Sequence, residues 1–460
     1  MSVFAVILIL YCLLIVSSAL KSGRIGINYG KQGNNLPTPY QTIETLKQLK
    51  VGMVKLYDTD PEVLKVLAGT SIHVSVMVPN EQIVDFALNE SLAIKWVHDH
   101  VLSYYPRTMI RFIMVGNEVY SDHKPDQWDN LVLAMTHIRN TVKAHDIHNI
   151  KVGTPLAMDI LSATFPPSNG KFRVDSVTTM VPLLQLLRKS GSFFFLNVYP
   201  YFPWARNTTQ ISLKFTLFKG GNLTYTDPGT GYRYTNLLDQ MLDSVYSAMT
   251  KLGFSDIPIA ISETGWPNQG DLDQPGANVY NAATYNRNLV QKITAEPPLG
   301  TPARPGTIIP TYLFSLYNEN LKDGPGTERH WGLFNASGLP VYPIDLTGAQ
   351  TEFGPLPKPN NNETYKGELW CVVHNAANVT QLGPMLSGLC SRFNGTCEAV
   401  IVPGKDCYEP VSMISHASYI FSAYWAKYRN KGTACFFNGL ATLTTNDPSH
   451  GTCKFPSVTV

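Results

Sequence analysis

Two glutamates in this 460-residue chain sit where a charge is costly unless it has work to do. Ile259-Ala-Ile-Ser-Glu263-Thr-Gly-Trp266-Pro267 runs four apolar or small residues into one carboxylate, and Gly and Pro then break the run. Ile110-Arg-Phe-Ile-Met-Val115-Gly-Asn117-Glu118 follows the same pattern. Both read as buried strands that deliver a carboxylate to the rim of a cleft. Breaking an acetal needs a proton on the leaving oxygen and an anion to receive the oxocarbenium-like carbon, and two carboxylates in different environments supply both. The retaining form of this chemistry sets them ~5–5.5 Å apart, with the nucleophile ionised and the acid partner's pKa raised. Against this stand a loop-capping role, a salt bridge to Arg111 or Arg329, and a metal site. No His-x-x-x-His pair accompanies the glutamates, and His73, His123, His330 and His416 are scattered, as structural or exposed histidines would be. No metal and no cofactor is therefore expected. The chain has no Gly-x-Ser-x-Gly elbow and no phosphate-binding glycine loop, which leaves serine-esterase and nucleotide chemistry unsupported.

The elements that must position these groups alternate between strand and helix. Strand-like runs are 24–30, 53–58, 73–78, 109–119 with Glu118, 151–156, 192–200, 257–267 with Glu263, and 307–317 leading into Glu319. Helical spacing fills the intervals at 37–50, from Pro61, from about 81 to 104, and at 128–145, 180–188, 234–252 and 279–293. On the long third stretch, Ile94, Val97 and Val101 are expected on one face. Eight such alternations predict an α/β fold, a (β/α)8 TIM barrel, whose catalytic groups lie where strands end. Tyr57, Glu118, Tyr199, Glu263 and Glu319 stand at such ends.

Residues 1–20 read as a secretory signal peptide, with a retained anchor as the alternative. The barrel is expected over 23–343. A polar, proline-bearing linker at 344–368 precedes a small disulfide-rich module at 369–456. Cys12 falls in the signal, whereas Cys371, Cys390, Cys397, Cys407, Cys435 and Cys453 all fall in the module, whose size requires a disulfide framework. Spacing alone allows fifteen pairings of six cysteines. In the module 412–429 is helical, with Met413, Ala417, Ile420 and Tyr424 along one side. Sequons at Asn89, Asn207, Asn222, Asn335, Asn362, Asn378 and Asn394 fit an exported glycoprotein. The formal charge of +2 leaves no nucleic-acid footprint. The C-terminal Phe455-Pro-Ser-Val-Thr-Val lacks the hydrophobic tail of a GPI signal, so no membrane anchor is expected. The expected molecule is a secreted monomer of apoplast or cell wall, with the vacuole as the alternative.

Ile261-Ser-Glu263-Thr-Gly-Trp-Pro-Asn268 resembles the signature of glycoside hydrolase family 17, the plant β-1,3-glucanases. Ile25-Gly-Ile-Asn-Tyr-Gly30, Val115-Gly-Asn-Glu118, Asn197-Val-Tyr-Pro-Tyr-Phe202 and Phe314-Ser-Leu-Tyr-Asn-Glu319-Asn-Leu-Lys322 fit as well, over residues 24 to about 343. The resemblance implies Glu263 as nucleophile and Glu118 as proton donor and then base. Glu319, Lys322 and Glu328 match the family's supporting charges, each with an ordinary salt bridge as the rival reading. Tyr57, Asn117, Tyr199, Phe202 and Trp266 look like glucose-contacting positions, aromatic faces against pyranose faces with an amide for hydroxyls. Asn28 and Asn268 depart from the commoner residues.

Leu369-Trp-Cys371-Val372, Cys407-Tyr408-Glu-Pro410 and His416-Ala-Ser-Tyr419 resemble the plant callose-binding module of carbohydrate-binding family 43. That likeness implies pairing Cys371 with Cys435, Cys390 with Cys453 and Cys397 with Cys407. Ser391-Arg-Phe-Asn-Gly-Thr396 departs from the family's more acidic version, and Tyr408, Tyr419 and Trp425 are candidate binding aromatics with core packing as their rival role. The resulting expectation is endo-hydrolysis of β-1,3-glucan by a retaining mechanism, with glucan binding by the module. The alternatives are a callose-binding wall protein with little turnover and a β-1,3-glucanosyltransferase.

Overall fold

The structure, a computed structural model, describes residues 23–121, 124–392 and 395–460. The signal peptide, Cys12, His123 and the Asn394 sequon lie outside the described residues.

Nine strands form one sheet: β1 (Ile25–Tyr29), β2 (Met53–Leu56), β3 (His73–Val78), β4 (Ile110–Val115), β5 (Lys151–Gly153), β6 (Pro155–Ala157), β7 (Phe194–Asn197), β8 (Ile259–Thr264) and β9 (Thr311–Leu313). Their order is β5-β4-β3-β2-β1-β9-β8-β7-β6, and every pairing is parallel. β5 and β6 are successive pieces of one segment separated by Thr154, so the two ends of the sheet meet and the barrel closes. The expected fifth strand is thus the split one. The expected eighth strand shrinks to three residues, because Pro310 before it has no N–H to give a ladder. β4 stops at Val115, short of the expected 119. Gly116 turns the chain at φ +70, where an added Cβ would lie 2.5 Å from the Val119 side chain.

The outer helices are α1 (Pro39–Gln48), α2 (Pro61–Val66), α3 (Ile83–Leu88), α4 (Glu90–Val97), α5 (Pro125–Ala144), α6 (Val177–Ser190), α7 (Leu237–Lys251) and α8 (Val279–Ile293). Each start has a local cause where a cap is present. Thr38 and Gln41 form a capping box for α1, Asp60 caps α2, and Asn236 and Asn278 cap α7 and α8. The expected long helix after Asn80 is broken at Asn89, which is extended and accepts from Ser91 N to start α4 afresh. That restart rotates the face, so Ile94 is 47% exposed while Val97 and Val101 are fully buried. The barrel holds no cysteine among its described residues and stands on its core. Each fully buried Leu, Ile or Val there contributes on the order of 1.5–3 kcal/mol.

In the module, β10 (Glu368–Val373) pairs antiparallel with β11 (Ala441–Thr444) and β12 (Val458–Thr459), beside α9 (Leu382–Arg392) and α10 (Met413–Tyr428). On α10, Ala417 and Ile420 are buried, but Met413 in the first turn is exposed. Three disulfides close this unit: Cys371–Cys435, Cys390–Cys397 and Cys407–Cys453. Only the first agrees with the pairing implied by family likeness. Cys390 closes instead on Cys397, seven residues on, at the end of α9, which leaves Cys407 for Cys453. Among the described residues no helix is long and apolar enough to cross a membrane.

Residues 344–368 lie against the barrel. The Arg287 guanidinium of α8 stacks over Phe353 at 4.0 Å and donates to Pro343 O. Gly276 N donates to Asn361 O at 2.6 Å, and Asn278 and Asn281 donate to Asn362 Oδ1. The module itself touches the barrel through Arg429–Asp273 at 3.2 Å and Arg329 over the Phe436 ring at 3.6 Å. The sequons at Asn89, Asn222 and Asn378 are exposed, Asn335 and Asn362 are half-buried, and Asn207 lines the cleft described below.

Candidate active site

A cleft of about 1220 Å³ opens at the C-terminal ends of the barrel strands. Its centre is Glu263, and the strand that carries it is irregular for a reason visible in the register. β8 pairs Ile259, Ala260 and Ile261 with Phe194, Phe195 and Leu196 of β7, but Glu263 rather than Ser262 with Asn197. Ser262 is therefore an extra residue, a bulge that also shifts the pairing with β9. Side chains alternate along a strand, so without the bulge Glu263 would share the outward face of Ile259 and Ile261. With it, Glu263 takes the inward direction of Asn197 and enters the barrel mouth.

Three donors hold the Glu263 carboxylate. Lys55 Nζ and Tyr57 OH reach Oε1 at 2.7 and 2.6 Å, and Tyr199 OH reaches Oε2 at 2.8 Å. Lys55 is fully buried, and Glu263 is 5% exposed. Burial alone would push the Glu263 pKa up, but the Lys55 charge and the three hydrogen bonds outweigh it and hold the group below its usual range. Burial lowers the Lys55 pKa, against the pull of Glu263. The arrangement is an ionised carboxylate with its counterion.

Glu118 is its opposite. It lies past the end of β4 at φ +52, a conformation few non-glycine residues adopt, fixed by its N–H to Pro155 O at 2.9 Å. Burial first, and the Glu263 charge second, raise its pKa to about 7 against the hydrogen bond from Asn197. Asn197 joins the two glutamates. Its Nδ2 donates to Glu118 Oε1 at 2.8 Å, its Oδ1 accepts from Ser262 Oγ at 2.6 Å, and its backbone pairs with Glu263. Among the described residues neither glutamate pairs with an arginine. Arg111 donates to Ile110 O, and Arg329 to the carbonyls of Lys322 and Gly324.

Glu319 packs on Gly30, where a Cβ would stand 2.5 Å from both carboxylate oxygens, and it accepts from Gln32 N at 2.7 Å. Burial raises its pKa, with the Lys322 charge opposing. Lys322 Nζ lies 3.4 Å from Glu328 and 4.5 Å above the Phe314 ring. Tyr57, Tyr199, Phe202, Phe314 and Trp331 stand edge-on or tilted to one another around the carboxylates. Among the described residues no His, Cys, Asp and Glu group could hold a metal ion.

The pattern of Glycosyl hydrolases family 17 matches residues 25–346, and that of the X8 domain matches residues 369–442. The chain belongs to glycosyl hydrolases family 17. Among curated relatives of this family-17 chain is the probable glucan endo-1,3-beta-glucosidase A6 of Arabidopsis thaliana, 56% identical over 95% of this chain and 92% of that protein. Glucan endo-1,3-beta-glucosidase 3 of the same plant is 38% identical over 98% and 89%. Among solved structures, CJP38, a beta-1,3-glucanase and allergen of Cryptomeria japonica pollen, superposes with a TM-score of 0.66 at 39% identity, covering 70% of this chain and 99% of that one.

In this family-17 chain the cleft brings together Glu118, Glu263, Tyr57, Asn117, Tyr199, Phe202, Glu319, Lys322 and Glu328. Trp266, expected to contact glucose, does not line it. Its side chain is fully buried among Tyr201, Trp204 and Tyr285, and its indole N–H donates to Gly276 O at 2.8 Å. Trp331 is the tryptophan at the cleft wall. Lys55, Asn197 and Ser262 were not expected as site residues. Lys55 carried the same signal as the glutamates, a charge inside the apolar run Met53-Val-Lys-Leu.

Proposed function

We propose that this chain is a secreted, retaining endo-β-1,3-glucanase whose C-terminal module binds the same glucan. The observation that carries the reading is the pair of buried glutamates on one barrel rim in opposite surroundings, Glu263 held by Lys55 and two tyrosine hydroxyls and Glu118 by the Asn197 amide. In the first step Glu118 gives its proton to the glycosidic oxygen while a Glu263 carboxylate oxygen bonds to the anomeric carbon and the leaving chain departs. Oε2 accepts one hydrogen bond against two at Oε1, so it is the oxygen more available for attack. In the second step Glu118, now a carboxylate, takes a proton from water. The water oxygen bonds to the anomeric carbon and Glu263 leaves. Lys55 and the two tyrosine hydroxyls stabilise the charge on Glu263 each time it is free. The aromatic wall offers apolar faces to pyranose rings, and Asn117 offers an amide to hydroxyls.

The enzymes to which the chain is similar carry the names of β-1,3-glucanases, which supports that linkage. The intact pair speaks against a wall protein with little turnover. Three disulfides in the module fit an oxidising compartment, which supports export to the wall space. Release of reducing ends from laminarin by the purified protein, and its loss in Glu263→Gln with glucan binding kept, tests the proposal. Near-normal turnover by that variant would overturn it.

A further inference from the structure

The cleft continues away from the carboxylates toward a pair of aromatic rings that the proposed chemistry does not use. Phe165 lies in the loop after β6 and is 61% exposed, although its ring borders the cleft. Tyr225 also lines the cleft, and its ring centroid lies 4.9 Å from that of Phe165, at 43° between planes. It belongs to the small hairpin Tyr225–Thr226 and Arg233–Tyr234, inside the insertion that follows β7. The barrel order puts the β6 loop across the mouth from that of β1, which carries Lys31. The β6 and β7 loops also bring Asp159 and Arg206 to the cleft, so the two rings form an apolar patch beside charged groups.

These two loops are held together deliberately. Asp227, two residues after Tyr225, is fully buried. Its Oδ2 accepts from Ser168 N, and its Oδ1 from Ser168 Oγ and Gly229 N, each at 2.7 Å. Ser168 is three residues past Phe165. Lys251, at the end of α7, braces the same loop by donating to the carbonyls of Ser168 and Gly170 at 2.9 and 2.8 Å. A large exposed ring gains nothing from this scaffolding unless something apolar covers it.

We propose that Phe165 and Tyr225 form an outlying subsite, which binds a glucosyl ring of the β-1,3-glucan chain beyond those at the carboxylates. Asp227 is its positioning residue. The occupant is assigned by continuity: the platform is part of the same cleft, so the covering surface is a further ring of the chain already threaded there. The inference rests on the glucanase reading for the identity of the ligand.

The test separates chain length from chemistry. Laminaritriose and laminariheptaose are titrated calorimetrically into the Glu263→Gln protein, with and without Phe165→Ala. Loss of the platform weakens heptaose binding about tenfold and leaves triose binding unchanged. Phe165→Trp restores the heptaose affinity, and Asp227→Asn, with unchanged circular dichroism, lowers it in the same length-dependent way. Equal heptaose affinities, or an equal loss for both sugars, would overturn the subsite. A parent enzyme that binds heptaose in this manner but releases no reducing ends would overturn the glucanase reading and leave the subsite standing.

Discussion

Lys55 and Glu118 set the charge of the site from opposite sides. Replacing Lys55 by Met removes the cation that offsets burial at Glu263, so the Glu263 pKa rises. The acid limb of the kcat/KM profile should move to higher pH, with kcat at least about tenfold lower. An unmoved acid limb would contradict the role given to Lys55. The basic limb of the wild-type profile should fall near pH 7, where Glu118 loses its proton. The same shift bears on stability. Between the ordinary value of 4.5 and about 7, the folded chain keeps a proton on Glu118 that the unfolded chain has lost. Stability contributed by that proton is present below 4.5 and is lost as pH rises through 7. Glu118→Gln removes the effect, so its melting-temperature gain over wild type should grow from pH 4 to pH 8, and a gain independent of pH would contradict it. Both glutamates were legible in the sequence because a carboxylate in an apolar run is costly. Lys55 obeys the same rule inside Met53-Val-Lys-Leu, although a lone lysine is more often solvated.

At the scale of elements, the Ser262 bulge aims Glu263, the proposed nucleophile, into the barrel mouth. Ser262→Ala removes the hydroxyl that holds Asn197 Oδ1 and loosens the amide that bonds Glu118. We expect about 1 kcal/mol less stability and a several-fold lower kcat with KM unchanged. Steady-state kinetics on a short laminari-oligosaccharide would check this, and a change in KM alone would count against it. Strand alternation read from the sequence located the barrel and its rim but not this extra residue, since a bulge leaves no mark in apolar periodicity. Trp266 was misplaced by family likeness rather than by periodicity. It follows β8 closely, yet its ring packs into the core against Tyr201, Trp204 and Tyr285. Helix α8 was legible to the residue because Asn278 caps it and Ile293 closes its apolar stripe, whereas Asn89 broke an expected helix by capping a new one.

At the scale of the molecule, the two units depend on different physics. Cys371–Cys435 spans 64 residues, and in the chain-entropy account such a link contributes about 4 kcal/mol. The barrel's described residues contain no cysteine. Dithiothreitol should therefore lower the module's melting transition while hydrolysis of short soluble oligosaccharides persists. Loss of both together would contradict this independence. The module is also seated on the barrel, by Asp273–Arg429 and by Arg329 on Phe436. Asp273→Arg or Arg429→Asp alone should raise the radius of gyration in solution scattering, and the double reversal should restore it. Unchanged dimensions in both single variants would mean that these contacts do not seat the module. Composition marked the segment at 344–368 as a linker, but its contacts to α8 arise between residues some seventy apart, which no local pattern displays. Spacing left all fifteen disulfide pairings open, and of those implied by family likeness only Cys371–Cys435 is formed.

The proposed reaction passes through a covalent intermediate on Glu263, with Glu118 as acid and then base. The most direct measurement is hydrolysis of an activated β-laminaribioside by Glu118→Ala with added azide. Azide is expected to restore turnover and to give the β-glycosyl azide, formed by a second inversion at a carbon already held by Glu263. An α-glycosyl azide would mean a single displacement and would contradict the covalent intermediate.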